Sequence, residues 1–126
     1  NQNNGAIGAM SFKGANTVTT NGTVAKYSGV TSGANSIAVT SGVGETVIDA
    51  IMVLGTDAIT VDASQTQIYN IGNTASGTES KNGSSYETGA ASVNMTWTIT
   101  GTHTTHMMGM SIKAGKVGGP LFFAQY

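Results

Sequence analysis

The sequence predicts an all-β domain, an antiparallel β-sandwich of the jelly-roll type. β-Branched residues alternate with small polar ones in short runs, and clusters of Gly, Asn and Ser separate these runs. The chain contains a single Pro and few helix-start signals. Alternation interrupted by turn residues every ~8–12 positions is typical of sandwiches and jelly rolls.

The alternation places nine candidate strands along the 126 residues. They cover residues 6–12, 17–27, 36–40, 45–54, 58–62, 65–71, 91–100, 106–113 and 121–126. The strand at 45–54 is apolar on both faces, as expected of a central strand, and Asp49 is predicted to be a buried carboxylate. In the strand at 91–100, one face carries the large apolar residues and is predicted to face the core: Val93, Met95, Trp97 and Ile99.

Residues 73–88 have no hydrophobic periodicity and are predicted to form a long loop projecting from one end of the sandwich. This loop is the candidate contact surface, with Tyr86 as the aromatic residue that could stack on a sugar. Asn82 begins an Asn-Gly-Ser acceptor sequence within it and is a candidate glycosylation site. Asn21, in Asn-Gly-Thr, is a second candidate.

The composition argues against several classes of function. Only 9% of the residues are charged, against about 25% in an average domain, so hydroxyl and amide groups must supply the polar surface. Five Lys and no Arg leave no basic patch, which excludes nucleic acid as a partner. No apolar run is long enough to span a bilayer. The net charge of −1 gives little self-repulsion, so association with copies of the chain is plausible.

The residues of common active sites are missing or scattered. There is no Cys and no G-x-S-x-G sequence, and the six acids are dispersed. We therefore predict no enzyme, no catalytic residue and no cofactor. His103 and His106 are three apart, so on a strand they would face opposite sides. A calcium ion held by loop carbonyls and Asp57 or Asp62 remains the alternative.

Between residues 7 and 114 the chain resembles a jelly-roll-like β-sandwich domain of large secreted bacterial, archaeal and phage-associated surface proteins. The motifs that carry the resemblance are GAMSFKG at 8–14, ETVIDAI at 45–51, ASQTQ at 63–67, GAASVNMTWTI at 89–99 and GMSIK at 109–113. The resemblance implies the fold and an extracellular, cell-surface or virion setting, and it supplies no activity or site residues. Members of this group carry more strands before the first motif, which implies a sandwich with uncovered edges.

The C-terminal nine residues form an apolar segment behind a flexible hinge. We divide the chain into a sandwich domain at 1–117 and this segment at 118–126, which starts with Gly118-Gly119. Candidate assembly residues in it are Leu121, Phe122, Phe123 and Tyr126. Three alternatives stay open: the last strand of its own sandwich, a strand donated to a neighbouring copy, or the tail of a longer chain.

These observations predict a non-enzymatic structural subunit. It would assemble with copies of itself into an extracellular filament, surface layer or virion appendage through sheet edges and terminal segments. The alternative is a carbohydrate-binding or adhesion module that contacts glycans through the 73–88 loop.

Overall fold

The computed structural model describes residues 8–16, 21–74, 77, 79–115 and 122–123, the last two by their backbone alone. These residues form eight strands: β1 (Phe12–Lys13), β2 (Ala25–Thr40), β3 (Thr46–Leu54), β4 (Ile59–Val61), β5 (Thr66–Asn73), β6 (Ser80–Thr88), β7 (Ser92–Ile112) and β8 (Phe122–Phe123). Every strand pairing is antiparallel. The predicted all-β, antiparallel class is confirmed.

Six strands form one hydrogen-bonded sheet in the order β2-β7-β3-β6-β5, and β4 also pairs with β7. β7 has 21 residues and organises this sheet. One of its edges pairs with β2, and the other pairs with β4 at residues 97–99 and with β3 at 105–112. The short strands β1 and β8 form a separate two-stranded sheet.

The ribbon made by β2 and β7 is interrupted near its middle. Its register shifts between Ser32 and Gly33. Gly33 and Gly101 both have a φ of 77°, a left-handed conformation that costs glycine little and other residues more. We call β3, β5 and β6, with residues 25–32 of β2 and 102–112 of β7, the larger arm of the sheet. Strand β4, with residues 33–40 of β2 and 92–99 of β7, forms the smaller arm.

The two arms face each other. The indole Nε1 of Trp97, on the smaller arm, donates to Oδ2 of Asp49 on the larger arm at 2.7 Å. Gly109 lies against Ile37 and Val39, although its partner in the β2–β7 ribbon is Ala25, twelve residues before Ile37. These contacts require the sheet to fold over at the interruption. The result is consistent with a sandwich-like fold, built from one continuous sheet.

The core lies between the arms. Its buried members come from β2, β3, β4 and β7: Ile37, Val39, Val47, Ile51, Val53, Ile59, Val93, Met95, Trp97, Ile99 and Met107. The predicted core face at 93–99 is confirmed, because all four of its residues are at least 95% buried. We call the side of each arm that faces this core its inner face and the opposite side its outer face.

Several predicted element boundaries were wrong. The predicted strands at 91–100 and 106–113 are one strand, β7, and those at 17–27 and 36–40 correspond to the single strand β2, residues 17–20 lying outside the described part of the chain. The residues at 28–35 and 101–105, which lay between predicted strands, belong to the ribbon, and their glycines accommodate its irregularity. Described residues of the predicted strands at 6–12 and 121–126 contribute only Phe12 to β1 and Phe122–Phe123 to β8.

The predicted loop at 73–88 is also wrong over most of its length. Residues 80–88 form β6, which pairs with β3 on one side and with β5 on the other. The strand has no aliphatic periodicity because its inner-face residues, Gly83 and Ser85, lie against the large indole of Trp97 and the carboxylate of Asp49. None of the described residues forms a helix with the length and hydropathy needed to cross a bilayer.

Candidate functional site

The open edge of β2 is the most extended candidate interface in the described part of the chain. β2 has sixteen residues and pairs with β7 along one edge. No described strand pairs with its other edge. Along its length the exposed side chains alternate with half-buried or buried ones, so one row points to solvent. The strand therefore presents a long row of backbone donors and acceptors.

The sequence of β2 contains few of the features that usually protect an edge. Natural edge strands are kept short or carry charges, prolines or bulges. β2 contains one charged residue, Lys26, and no Pro. The irregularity at Gly33 divides the edge into two stretches of eight residues, each longer than an average strand of about 5–6 residues. Either stretch is long enough to pair with another strand.

The outer face of the larger arm carries exposed apolar side chains. They come from β2, β3, β5 and β7: Val30 (68% exposed), Met52 (39%), Leu54 (46%), Ile71 (40%) and Met108 (51%). Their common face follows from the register, which places Met52 beside His106, and Ala50 beside Met108. A cavity of about 490 Å³ opens on this face. Its lining includes Lys26, Ser28, Met52, Tyr69, Asn82, His106 and Met108.

Asp49 is the centre of a buried polar cluster between the arms. Its Oδ1 accepts from the backbone N–H of Ser85 at 2.7 Å and from the Ser85 hydroxyl at 2.8 Å. Its Oδ2 accepts from Trp97 and, at 3.4 Å, from the side-chain amide of Gln65. Burial raises the pKa of Asp49, and the hydrogen bonds from Ser85, Trp97 and Gln65 partly offset the rise.

The polar cluster is structural in character. Gln65 extends it, since its Nε2 donates to the Ser85 hydroxyl at 2.6 Å and its Oε1 accepts from the backbone N–H of Thr96. The carboxylate is 2% exposed and surrounded by donors, so a substrate has no access to it. The prediction of a buried Asp49 is confirmed. The carboxylate also contributes to raising the pKa of Tyr69, after burial of the phenol.

The two histidines do not meet. His103 Nε2 is 2.9 Å from Oδ2 of Asp57, which lies in the connection between β3 and β4. His106 Nδ1 is 2.9 Å from the hydroxyl of Ser28 on β2. His103 lies on the same face of β7 as the buried Thr105, and His106 lies on the opposite face, as the sequence predicted. The contact with Asp57 was not predicted, because it depends on the folded connection between β3 and β4.

The carboxylates proposed for calcium belong to different local structures. Asp57 is paired with His103. Asp62 caps a turn, where its Oδ1 accepts from the N–H of Ser64 at 3.0 Å, and hydrogen bonds from Ser64 lower its pKa. Among the residues that the structure describes, no three His, Cys, Asp or Glu side chains are grouped so that they could hold a metal ion.

The contact and glycosylation candidates within 73–88 need correction. Tyr86 lies in β6 between Ile48 of β3 and Thr66 of β5, and it is half-buried. It is therefore not beside a projecting loop. Asn82 is also in β6, where its side-chain amide donates to the Ser80 hydroxyl at 3.1 Å, and it is not in an exposed loop. Both positions were misplaced because β6 was not recognised as a strand.

The other glycosylation candidate and the candidate assembly residues stay predictions. Asn21 is exposed, and its side-chain amide donates to the Gly22 carbonyl at 3.0 Å. The backbone of Phe122 and Phe123 pairs with β1 of the same chain, which is the arrangement that the final-strand alternative predicts. Leu121, Tyr126 and the hinge at 118–119 lie outside the described residues.

Comparison of the chain with models of protein families, with curated protein sequences and with solved structures finds no match in any of the three.

Proposed function

We propose that the protein is a non-enzymatic structural subunit that assembles with copies of itself, outside a cell or on a virion, through its sheet edges and terminal segments. The observation that carries this proposal is the open, sixteen-residue edge of β2. Strand addition at such an edge gains main-chain hydrogen bonds without needing a specialised pocket.

β2 is a better assembly edge than β5, the strand at the other end of the sheet order. β5 has eight residues, and its register with β6 shifts between Gln67 and Tyr69. The side-chain amide of Asn70 on β5 also donates to the carbonyl of Ile59 on β4 at 2.9 Å, which ties β5 to another strand of its own chain. A short strand and a bulge are common protections of an edge.

Growth of the assembly beyond a dimer requires a second contact between copies of the chain. Pairing of β2 with β2 of another copy is isologous, and by itself it closes into a dimer. The terminal segment supplies a candidate for the second contact. Exchange of β8 (Phe122–Phe123) between copies would replace its pairing with β1 of its own chain by the same pairing with β1 of a neighbour. Alternation of the two contacts would produce a filament.

The carbohydrate-binding alternative is weakened by the fold. It was placed on a loop at 73–88, and residues 80–88 of that range are an internal strand of the sheet. We therefore do not carry it forward as a second proposal.

Lysine substitutions along the open edge of β2 test whether this edge is the assembly interface. Ala34 and Ala38 are exposed on β2, and their partners Thr98 and Asn94 on β7 are exposed on the same face, one strand further in. The Ala34→Lys/Ala38→Lys variant puts two ammonium groups on the edge itself. The Asn94→Lys/Thr98→Lys variant puts the same charge one strand away and serves as the matched control.

Sedimentation velocity and negative-stain electron microscopy give the readout. We expect wild type and the control variant to form particles or filaments, and the edge variant to remain at smaller sizes. Deletion of residues 121–126 should stop growth at the dimer. A wild-type protein that stays monomeric at high concentration contradicts the proposal. An edge variant that assembles as wild type does contradicts pairing through residues 33–40 of β2.

A further inference from the structure

A histidine and two methionines lie side by side on the outer face of the larger arm. His106 and Met52 are direct partners in the β3–β7 register, and Met108 is the next residue of β7 on that face. Directly opposite residues have Cβ atoms about 4.5–5.5 Å apart, and diagonal neighbours are about 7–8 Å apart. All three residues line the cavity of about 490 Å³. Their side chains are therefore within reach of a common point.

The methionines are unusual in their exposure. Met52 is 39% exposed and Met108 is 51% exposed, whereas Met95 and Met107 on inner faces are 0% and 3% exposed. A thioether buried in the core is enclosed by its packing contacts. Those of Met52 and Met108 are accessible from solvent, and the unbranched methionine side chain can adjust its sulfur position at little cost.

The His106 ring is held by a hydrogen bond that suits a metal ligand. Its Nδ1 lies 2.9 Å from the hydroxyl of Ser28, its direct partner on β2. When the hydroxyl oxygen accepts a hydrogen bond from Nδ1–H, the free lone pair of the ring is on Nε2. Metal-binding histidines usually donate their other ring N–H in this way, which fixes the tautomer and the ring orientation.

The ligand types select the metal. Thioether sulfur is soft and favours Cu(I), while Ca²⁺ and Mg²⁺ prefer oxygen. None of the described residues that line the cavity is Asp or Glu, and Lys26 lies directly opposite Met108. This local charge disfavours a divalent ion more than a monovalent one. We propose that His106, Met52 and Met108 form a binding site for Cu(I), with Ser28 orienting the imidazole.

The test is an anaerobic Cu(I) titration of the full chain in competition with the chelator bathocuproine disulfonate. Ag(I) provides a redox-inert second probe. We expect one ion per chain for wild type. Met52→Leu, Met108→Leu and His106→Gln should each lower the affinity by about tenfold or more, the range seen when a metal site loses a supporting group. Leu preserves the volume of Met, so each fold can be verified by circular dichroism.

Met110→Leu is the matched control. Met110 is on the same face of β7 but lies opposite Ile48, outside the cavity lining, so its replacement should leave the affinity unchanged. Lys26→Gln should tighten binding because it removes a nearby positive charge. The methyl resonances of Met52 and Met108 should shift with Ag(I), while that of Met110 stays in place. No saturable binding by wild type, or an affinity equal to that of wild type in the Met52→Leu and Met108→Leu variants, overturns the site.

Discussion

Asp49 receives hydrogen bonds from three residues that belong to different parts of the chain. Ser85 is on β6, Trp97 is on the smaller arm, and Gln65 precedes β5. The carboxylate therefore fixes the distance between the arms as well as the orientation of the indole. Because every partner is a donor, the site requires an acceptor with two oxygens.

Asp49→Asn should destabilise the fold by about 2–3 kcal/mol, because the amide group places a donor against donors inside the protein. Urea unfolding followed by the fluorescence of Trp97, the only Trp, measures this change. Asp62→Asn is the control, because Asp62 is exposed and an amide oxygen can also accept from Ser64. Equal stability of wild type and Asp49→Asn would show that the cluster contributes little.

The pH dependence of the unfolding free energy, compared between wild type and Asp49→Asn, tests the raised pKa of Asp49. A carboxyl whose pKa is higher in the folded protein binds its proton more tightly there than in the unfolded chain. The resulting stability is complete below the ordinary pKa of 3.8 and is lost as the pH rises through the raised value. The difference in unfolding free energy between wild type and Asp49→Asn should therefore be larger in acid than at neutral pH.

At the scale of elements, β6 depends on a match between a small residue and a large one. A Cβ added at Gly83 would lie 2.5 Å from one ring carbon of Trp97 and 2.8 Å from another. Trp97 is fully buried, and its Nε1 is held by Asp49, so the ring cannot swing aside. β6 can occupy its place in the sheet because it has no side chain at this position.

Gly83→Ala should cost about 1–3 kcal/mol through overpacking. Gly42→Ala is the matched control. Its added Cβ would come no closer than 3.4 Å to any atom, and the nearest one belongs to the flexible side chain of Glu45. Thermal unfolding of the two variants measures the difference. A melting temperature lowered equally in both would show that the contact with Trp97 is not the cause.

The strands that were predicted well from the sequence are those in which regularly alternating apolar residues indicate a buried face. Val93, Met95, Trp97 and Ile99 alternate regularly, and β7 was located from them. β6 was missed because Gly83 and Ser85 are small where their partners are large, and that complementarity exists only between strands distant in sequence. The ribbon was predicted as separate strands, because the segments 28–35 and 101–105 contain Gly residues, which are favoured both in bulges and between strands. The candidate Cu(I) site was not foreseen, because it depends on the register that places Met52 opposite His106.

At the scale of the whole molecule, the low charge determines how assembly should respond to salt. The protein has a net charge of −1, and β2 carries only Lys26. Screening acts on charges and leaves main-chain hydrogen bonds almost unaffected. The apparent assembly constant of wild type should therefore change by less than about twofold between ~0.05 and ~0.5 M NaCl.

Light scattering at both salt concentrations measures this response. The Ala34→Lys/Ala38→Lys variant provides the contrast, since repulsion between its ammonium groups is screened and part of its assembly should return at high salt. A strong salt dependence of wild type would instead indicate an interface made by ion pairs.

The position of β7 in the chain has a consequence for biosynthesis. Ribosomes make β2 and β3 first, but both pair with β7, which is complete only after Ile112 has been added. Until β7 begins to be made, no described strand can pair with either edge of β2, and β3 has among the described strands at best its pairing with β6. Long-range pairing of this kind folds slowly and leaves strands exposed during synthesis. Nascent chains on one messenger are therefore most open to pairing with each other while β7 is still being made.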